Sequence, residues 1–168
     1  DVYKRQPLPV AVSPLSIDEK SRKSFEALFK IKNIGEEISS IVENNLKTSG
    51  LFNPLNKDAF LQAPDIANLK PRFEDWRLIK AQALITGKVS YIDDKIRVEF
   101  RLWDVLAGKE MIALAFTTVH SNWRRVGHII TDKVYERLTG EKGYFDTRII
   151  YVAEEGCLLY TSPSPRDK

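Results

Sequence analysis

The chain has 168 residues, with 26 basic, 23 acidic and one Cys, and it is 43% apolar and 29% charged. That composition is ordinary for a globular protein and excludes a mainly disordered, collagen-like or disulfide-stapled chain. The longest apolar run, Met111 to Phe116, is six residues, far short of the ~20 that a spanning helix needs, and the length suits a single domain.

Both ends read as something other than natural protein. Asp1-Val2-Tyr3-Lys4-Arg5-Gln6 back-translates to GAT GTG TAT AAG AGA CAG. The reverse complement of that DNA, shifted by one base, encodes Cys157-Leu158-Leu159-Tyr160-Thr161-Ser162. One terminus is therefore a frame-shifted reverse complement of the other, and it resembles the transposase mosaic end of DNA sequencing libraries. Residues 1–6 and 157–168 are accordingly set aside as adapter-derived scars. They contain the only Cys, Cys157, and four basic and two acidic residues, so the remaining 7–156 carry 22 basic and 21 acidic groups. The apparent basicity largely disappears, and with it the electrostatic case for nucleic-acid binding. No basic start followed by an apolar stretch marks a secretory signal. With the reading frame cut at both ends, its absence says nothing about location.

In chain order, Leu8 to Val12 form a short apolar run closed by Pro14, which predicts a first strand. Residues 16–33 are charged, with Phe25, Leu28, Phe29 and Ile31 interspersed, and are expected to form a loop or short helix. Ile34, Ile38, Ile41, Val42 and Leu46 recur at helical spacing, with Glu36 and Glu37 at the start, Lys47 near the end and Ser49-Gly50 as a stop. Leu51 to Leu55 lead into a second strand or turn. Residues 56–75 carry Pro64 and Pro71 and predict a loop with a short helix, which Trp76, Ile79 and Ala83 extend. From Ala83 the period changes to two. Ala83–Tyr91, Ile96–Trp103 and Met111–Val119 are predicted strands, joined by turns at Asp93-Asp94 and Ala107-Gly108-Lys109, and make an antiparallel meander. A last helix runs from about Asn122 to Leu138, capped by Ser121 or Asn122 and ended by Gly140. Trp123, Ile130, Val134 and Leu138 share one of its faces. Arg125, His128, Asp132 and Glu136 fall opposite, flanked by Ile129. Phe145 to Ala153 read as one more strand.

Little of this looks like catalysis. The segment 7–156 has two His and no Cys, and His128 with Asp132, one helical turn apart, reads as a surface or interface pair rather than a metal site. His120 is expected in a loop. No nucleophile motif is present, and Gly140-Glu141-Lys142-Gly143 lacks Walker spacing and follows a helix instead of preceding one. The acidic pairs Asp93-Asp94 and Glu154-Glu155 sit beside turns or ends, with no cleft implied. Arg97, Arg101 and Trp103 mix basic and aromatic groups on one strand face, as base-stacking sheets do, but Glu99 lies between the two Arg residues. A freestanding nucleic-acid-binding α/β module is therefore the competing class. No cofactor and no catalytic residue is proposed.

The run Asn122 to Gly140 resembles the last helix of the TolB amino-terminal domain family, and Glu141-Lys142-Gly143-Tyr144-Phe145-Asp146-Thr147-Arg148-Ile149-Ile150-Tyr151-Val152 resembles that family's linker into its β-propeller. Asn45 to Phe52 is similar to the family's first helix end, Val98 to Val105 to its central strand, and Pro9 to Val12 to its first strand. The resemblance implies an α/β (α+β) fold: a mixed β-sheet with a three-stranded antiparallel meander and two principal helices packed on it. It divides the chain into a domain over 7–143 and a linker with the first strand of a missing propeller over 144–156. It further implies a non-enzymatic, periplasmic role in the Tol–Pal system, supporting outer-membrane integrity and constriction at division, with colicins exploiting the propeller for import. The expected partners are TolA, through the amino-terminal region, and Pal, through the propeller. The short segment that engages TolA in the family would precede Pro7. Arg125, His128, Ile129, Asp132, Glu136, Phe145 and Thr147 are the candidate interdomain or partner interface, with Phe145 to Val152 expected as a displaced strand with an unpaired edge.

Overall fold

Asp93 and Asp94 adopt the left-handed conformation in succession, φ 52° and 66°. A two-residue hairpin turn requires that geometry, and Asp tolerates it better than most side chains. The turn joins β4 (Ala83–Ile92) to β5 (Lys95–Asp104) in a computed structural model that describes residues 6–146. The Tyr91 hydroxyl donates to Asp94 Oδ1 at 2.7 Å across its base. A second turn, with Gly108 at φ 68°, leads into β6 (Lys109–Val119). The predicted meander is thus present, with Val89, Val98 and Phe116 in register across its three strands.

The sheet is mixed. β1 (Leu8–Val12) runs parallel to both β3 (Phe52–Pro54) and β4, and the two-residue β2 (Ser16–Ile17) pairs β4 further along. The strand order is β3-β1-β4-β5-β6. Parallel neighbours need crossover connections. Two helices supply the first one: α1 (Glu19–Phe29) and α2 (Ile34–Thr48). Asp18 caps α1 by accepting from the Ser21 amide at 2.8 Å, and Asn33 caps α2 by accepting from the Glu36 amide at 3.2 Å. Gly50, at φ 81°, follows α2 as its stop.

Three sequence expectations need correction here. Residues 16–33 hold a full 11-residue helix rather than a loop or short helix. α1 buries only Ser21 and Phe25, so no apolar stripe announces it. The helical region before the meander is split into α3 (Pro64–Leu69) and α4 (Phe73–Leu78), and Ala83 does not extend it. Lys80 turns left-handed at φ 69°, and Ala83 opens β4 opposite Val10 of β1. Finally, Asn122 occupies the cap position of α5 (Trp123–Thr139) but makes no side-chain cap bond; its Nδ2 reaches Thr118 Oγ1 at 3.5 Å.

The sheet has two unequal faces. Val10, Val12, Ile85, Val98, Phe100 and Leu102 point into a large core beneath α1, α2 and α5. On the other face Ala11 and Leu84 meet a small cluster around Trp76 of α4. Trp76 is fully buried yet satisfied, because its indole N–H donates to Gln62 Oε1 at 2.8 Å. α2 and α5 pack closely at Gly127, where a Cβ would come within 2.6 Å of Ile41 Cγ2. Glycine is what permits this approach. Among the described residues no helix is long and apolar enough to cross a membrane.

Candidate functional site

The outer face of α5 is occupied by the chain itself. After Gly140 closes the helix in the left-handed conformation, φ 79°, the backbone turns back along α5. The Gly143 amide donates to Glu136 Oε2 at 3.0 Å, and the amides of Phe145 and Asp146 donate to Asp132 Oδ1 and Oδ2 at 2.8 and 3.1 Å. Asp146 then meets Arg125. The guanidinium Nε donates to both carboxylate oxygens at 3.1 Å, and Nη2 lies 3.0 Å from Oδ2. Arg125 and Asp146 side chains are only 5% and 9% exposed, so this is a desolvated, bidentate ion pair rather than a surface contact. The rings of Tyr144 and Phe145 stack at 4.2 Å and meet Tyr135 edge-on at 5.5 and 5.7 Å.

This arrangement sorts the predicted interface residues. Arg125, Asp132, Glu136 and Phe145 are brought together by the returning segment. Ile129 is 3% exposed and belongs to the main core. Arg125 is buried too, so the face is less polar and less open than the helical wheel suggests. His128 looks elsewhere: its Nδ1 lies 2.9 Å from Asn45 Nδ2 of α2, which also donates to Thr131 Oγ1 at 3.2 Å. His128 and Asp132 therefore give their polar atoms to different partners. Phe145 and Asp146 are not in a strand. Thr147 and the rest of the predicted final strand lie outside the described residues, as do Glu154-Glu155 and Cys157. The expected boundary after residue 143 falls within the returning segment.

Burial is the largest influence on Asp132, and it raises the carboxyl above the ordinary aspartate range; the two backbone amides pull the other way, and the charges of Asp146 and Glu136 push it up further. Sequence reasoning missed Gly143, Tyr144, Asp146, Tyr135 and Asn45. One signal was available. Asp132 and Glu136 are like charges four residues apart on a helix, an unfavourable pairing in water that points to donors held against them.

Other candidates do not assemble a reactive centre. Among the described residues no group of three or more His, Cys, Asp or Glu is arranged to hold a metal ion. His120 sits in a 3-10 turn, its ring 5.3 Å from that of Phe29, with a buried Nδ1 that has no hydrogen-bond partner among the described residues. A cleft of about 400 Å³ between Leu8, Phe52 and Leu138 has, among the described residues, a single titratable lining residue, Glu141. On the open face of the meander Arg97 pairs with Glu99 at 3.5 Å and Arg101 with Glu110 at 3.3 Å, while the Trp103 indole N–H donates to Thr86 Oγ1. These paired cations and the engaged ring weigh against a nucleic-acid platform.

Comparison with known proteins matches this architecture. The model of the TolB amino-terminal domain family matches residues 3–111. The Tol-Pal system protein TolB of Pelagibacter ubique (strain HTCC1062) is 79% identical over 150 residues, covering 89% of this chain and 34% of the relative. The crystal structure of TolB from Acinetobacter baumannii superposes with a TM-score of 0.67 at 23% identity, covering 84% of this chain and 31% of that one. The chain thus spans about a third of the length of these relatives. It belongs to the TolB amino-terminal domain family.

Proposed function

We propose that this chain is a non-enzymatic protein-interaction domain of the Tol–Pal envelope system, working in the periplasm to support outer-membrane integrity and constriction at division. Family membership carries this reading: 79% identity to a Tol-Pal system protein TolB extends over 89% of the chain. The relative aligns over 150 residues, the length of segment 7–156, which supports treating 1–6 and 157–168 as adapter-derived, although the family match itself starts at residue 3. In this reading the longer protein contacts TolA through its amino-terminal region and Pal through a propeller following this domain. The outer face of α5 with residues 143–146 faces that propeller. His128, Glu136 and the half-exposed Tyr144 supply the accessible part of the contact. Arg125, Asp132 and Phe145 act from beneath by shaping the returning segment, and Thr147, outside the described residues, is the remaining proposed contact.

The test is calorimetric titration of the full-length protein, recovered from the source DNA, against purified TolA and Pal. Saturable binding of both is expected. Failure to bind either would overturn the assignment. Repeating the titration with residues 7–156 alone would then locate each contact, with loss of Pal binding expected.

A further inference from the structure

We infer that residues 143–146 form a strap that opens and closes on α5 as one unit, ahead of unfolding of the domain, with Arg125 as its keystone. This concerns the chain's own residues and stands apart from the Tol–Pal reading.

The strap is attached differently from everything else around it. It takes part in no strand pairing and no helix. Its three bonded amides all donate to side-chain carboxylates of α5, Glu136 and Asp132. Its own carboxylate, Asp146, is paired with the guanidinium of Arg125, and Asp132 feels the charges of both Asp146 and Glu136. Without that guanidinium Asp146 is left as an unpaired, poorly solvated charge beside Asp132. The apolar hold is small: the stacked Tyr144 and Phe145 rest on Tyr135, and Tyr144 remains 56% exposed. α5 does not depend on these contacts. Val126, Ile130 and Val134 bind it to the sheet core, and Gly127 seats it on α2. Opening therefore breaks a short, local set of interactions and leaves the core intact, which is the signature of a sub-global unit. It uncovers Asp132, Arg125 and the ring of Tyr135, and it frees the direction in which the chain leaves the domain.

The closed state also has a steric requirement. A Cβ at residue 143 would lie 2.5 Å from Asp132 Oδ1 and 2.8 Å from Asp132 Cα. Gly143→Ala is thus a wedge that pushes the strap away without removing any charge or core side chain.

Native-state hydrogen exchange, read by NMR on the whole chain, tests this. In the unaltered protein the amides of Gly143, Phe145 and Asp146 should share one protection factor, lower than that of Val98 and Ile130. Gly143→Ala should accelerate Phe145 and Asp146 together by about tenfold or more, while Val98 and Ile130, which exchange by unfolding of the whole domain, accelerate by no more than the same factor and stay better protected than the strap. Arg125→Met should do the same, and Val98 reports separately whether that variant lowers global stability. Strap amides that exchange at the core rate, that respond singly, or that ignore Gly143→Ala would overturn the inference.

Discussion

The meander and the strap satisfy their backbones in opposite ways. In β4, β5 and β6 the backbone groups are paired by ladders, in register from Ile92↔Lys95 to Ala83↔Asp104 between β4 and β5 and with a bulge at Leu102/Trp103 between β5 and β6, while the inward side chains fill the core. In residues 143–146 the backbone is held by side chains, chiefly the two oxygens of Asp132. A ladder distributes the load over many equivalent bonds and tolerates substitution at most outward positions. A carboxylate cradle concentrates it in a few groups whose charge must also be balanced. The two regions should therefore fail differently when perturbed.

The largest effect is expected beneath the strap. Ile129 is 3% exposed in the main core, so Ile129→Asp places an unpaired charge there and should cost more than about 4 kcal/mol. Urea unfolding measures it; a loss under about 1 kcal/mol would mean that this side of α5 is open to solvent. Phe100→Ala, at a fully buried position of the meander, should cost about 3–5 kcal/mol and lower the protection of core amides such as Val98, while the strap amides, which exchange by local opening with the core intact, keep their rates.

A smaller effect sharpens the contrast between carboxylates. Asp18→Ala removes the cap of α1 and should cost about 1 kcal/mol near neutral pH. The Ser21 amide, followed by the Ser21 hydroxyl and Lys88, holds the Asp18 carboxyl below its ordinary range against a partial desolvation. Its contribution is therefore present above the ordinary aspartate value, about 3.9, and is lost as pH falls through the lowered value. Asp132 has the opposite sign. Burial raises it, so its contribution is present in acid and is lost as pH rises through the raised value. The stability difference between Asp18→Ala and the unaltered protein should vanish on acidification. That between Asp132→Asn and the unaltered protein should shift in the other direction over the same titration; parallel pH profiles would contradict the environments assigned to the two groups.

What could be read in advance follows from the same physics. α2 and the meander repeat their apolar residues at helical and strand period because one face of each is buried along its whole length, as at Ile34, Ile38, Val42 and Leu46 of α2. α1 escaped because Phe25 is its one buried apolar residue, packed edge-on against Tyr91 at 5.6 Å, with Phe29 at its end only partly buried against the core. α3 and α4 are six residues each, too short to show a period. On α5 the wheel separated a packed face from a charged one correctly in outline. It could not show that Arg125 is buried, since burial there depends on Asp146, 21 residues away and past the end of the helix. The strap has no period at all. Its geometry comes from Gly143 and from carboxylates on another element, and only the like-charge spacing of Asp132 and Glu136 hinted at it.

The strap is closed by the buried pair of Arg125 and Asp146. A double-mutant cycle of Arg125→Met and Asp146→Asn, followed by urea unfolding, measures that pair directly. A coupling of about 1.5–3 kcal/mol is expected, with the double variant clearly less damaged than the sum of the two single variants. A coupling indistinguishable from zero would show that Asp146 is not held on Arg125 in solution, and the strap would have to be abandoned as a structured part of the domain.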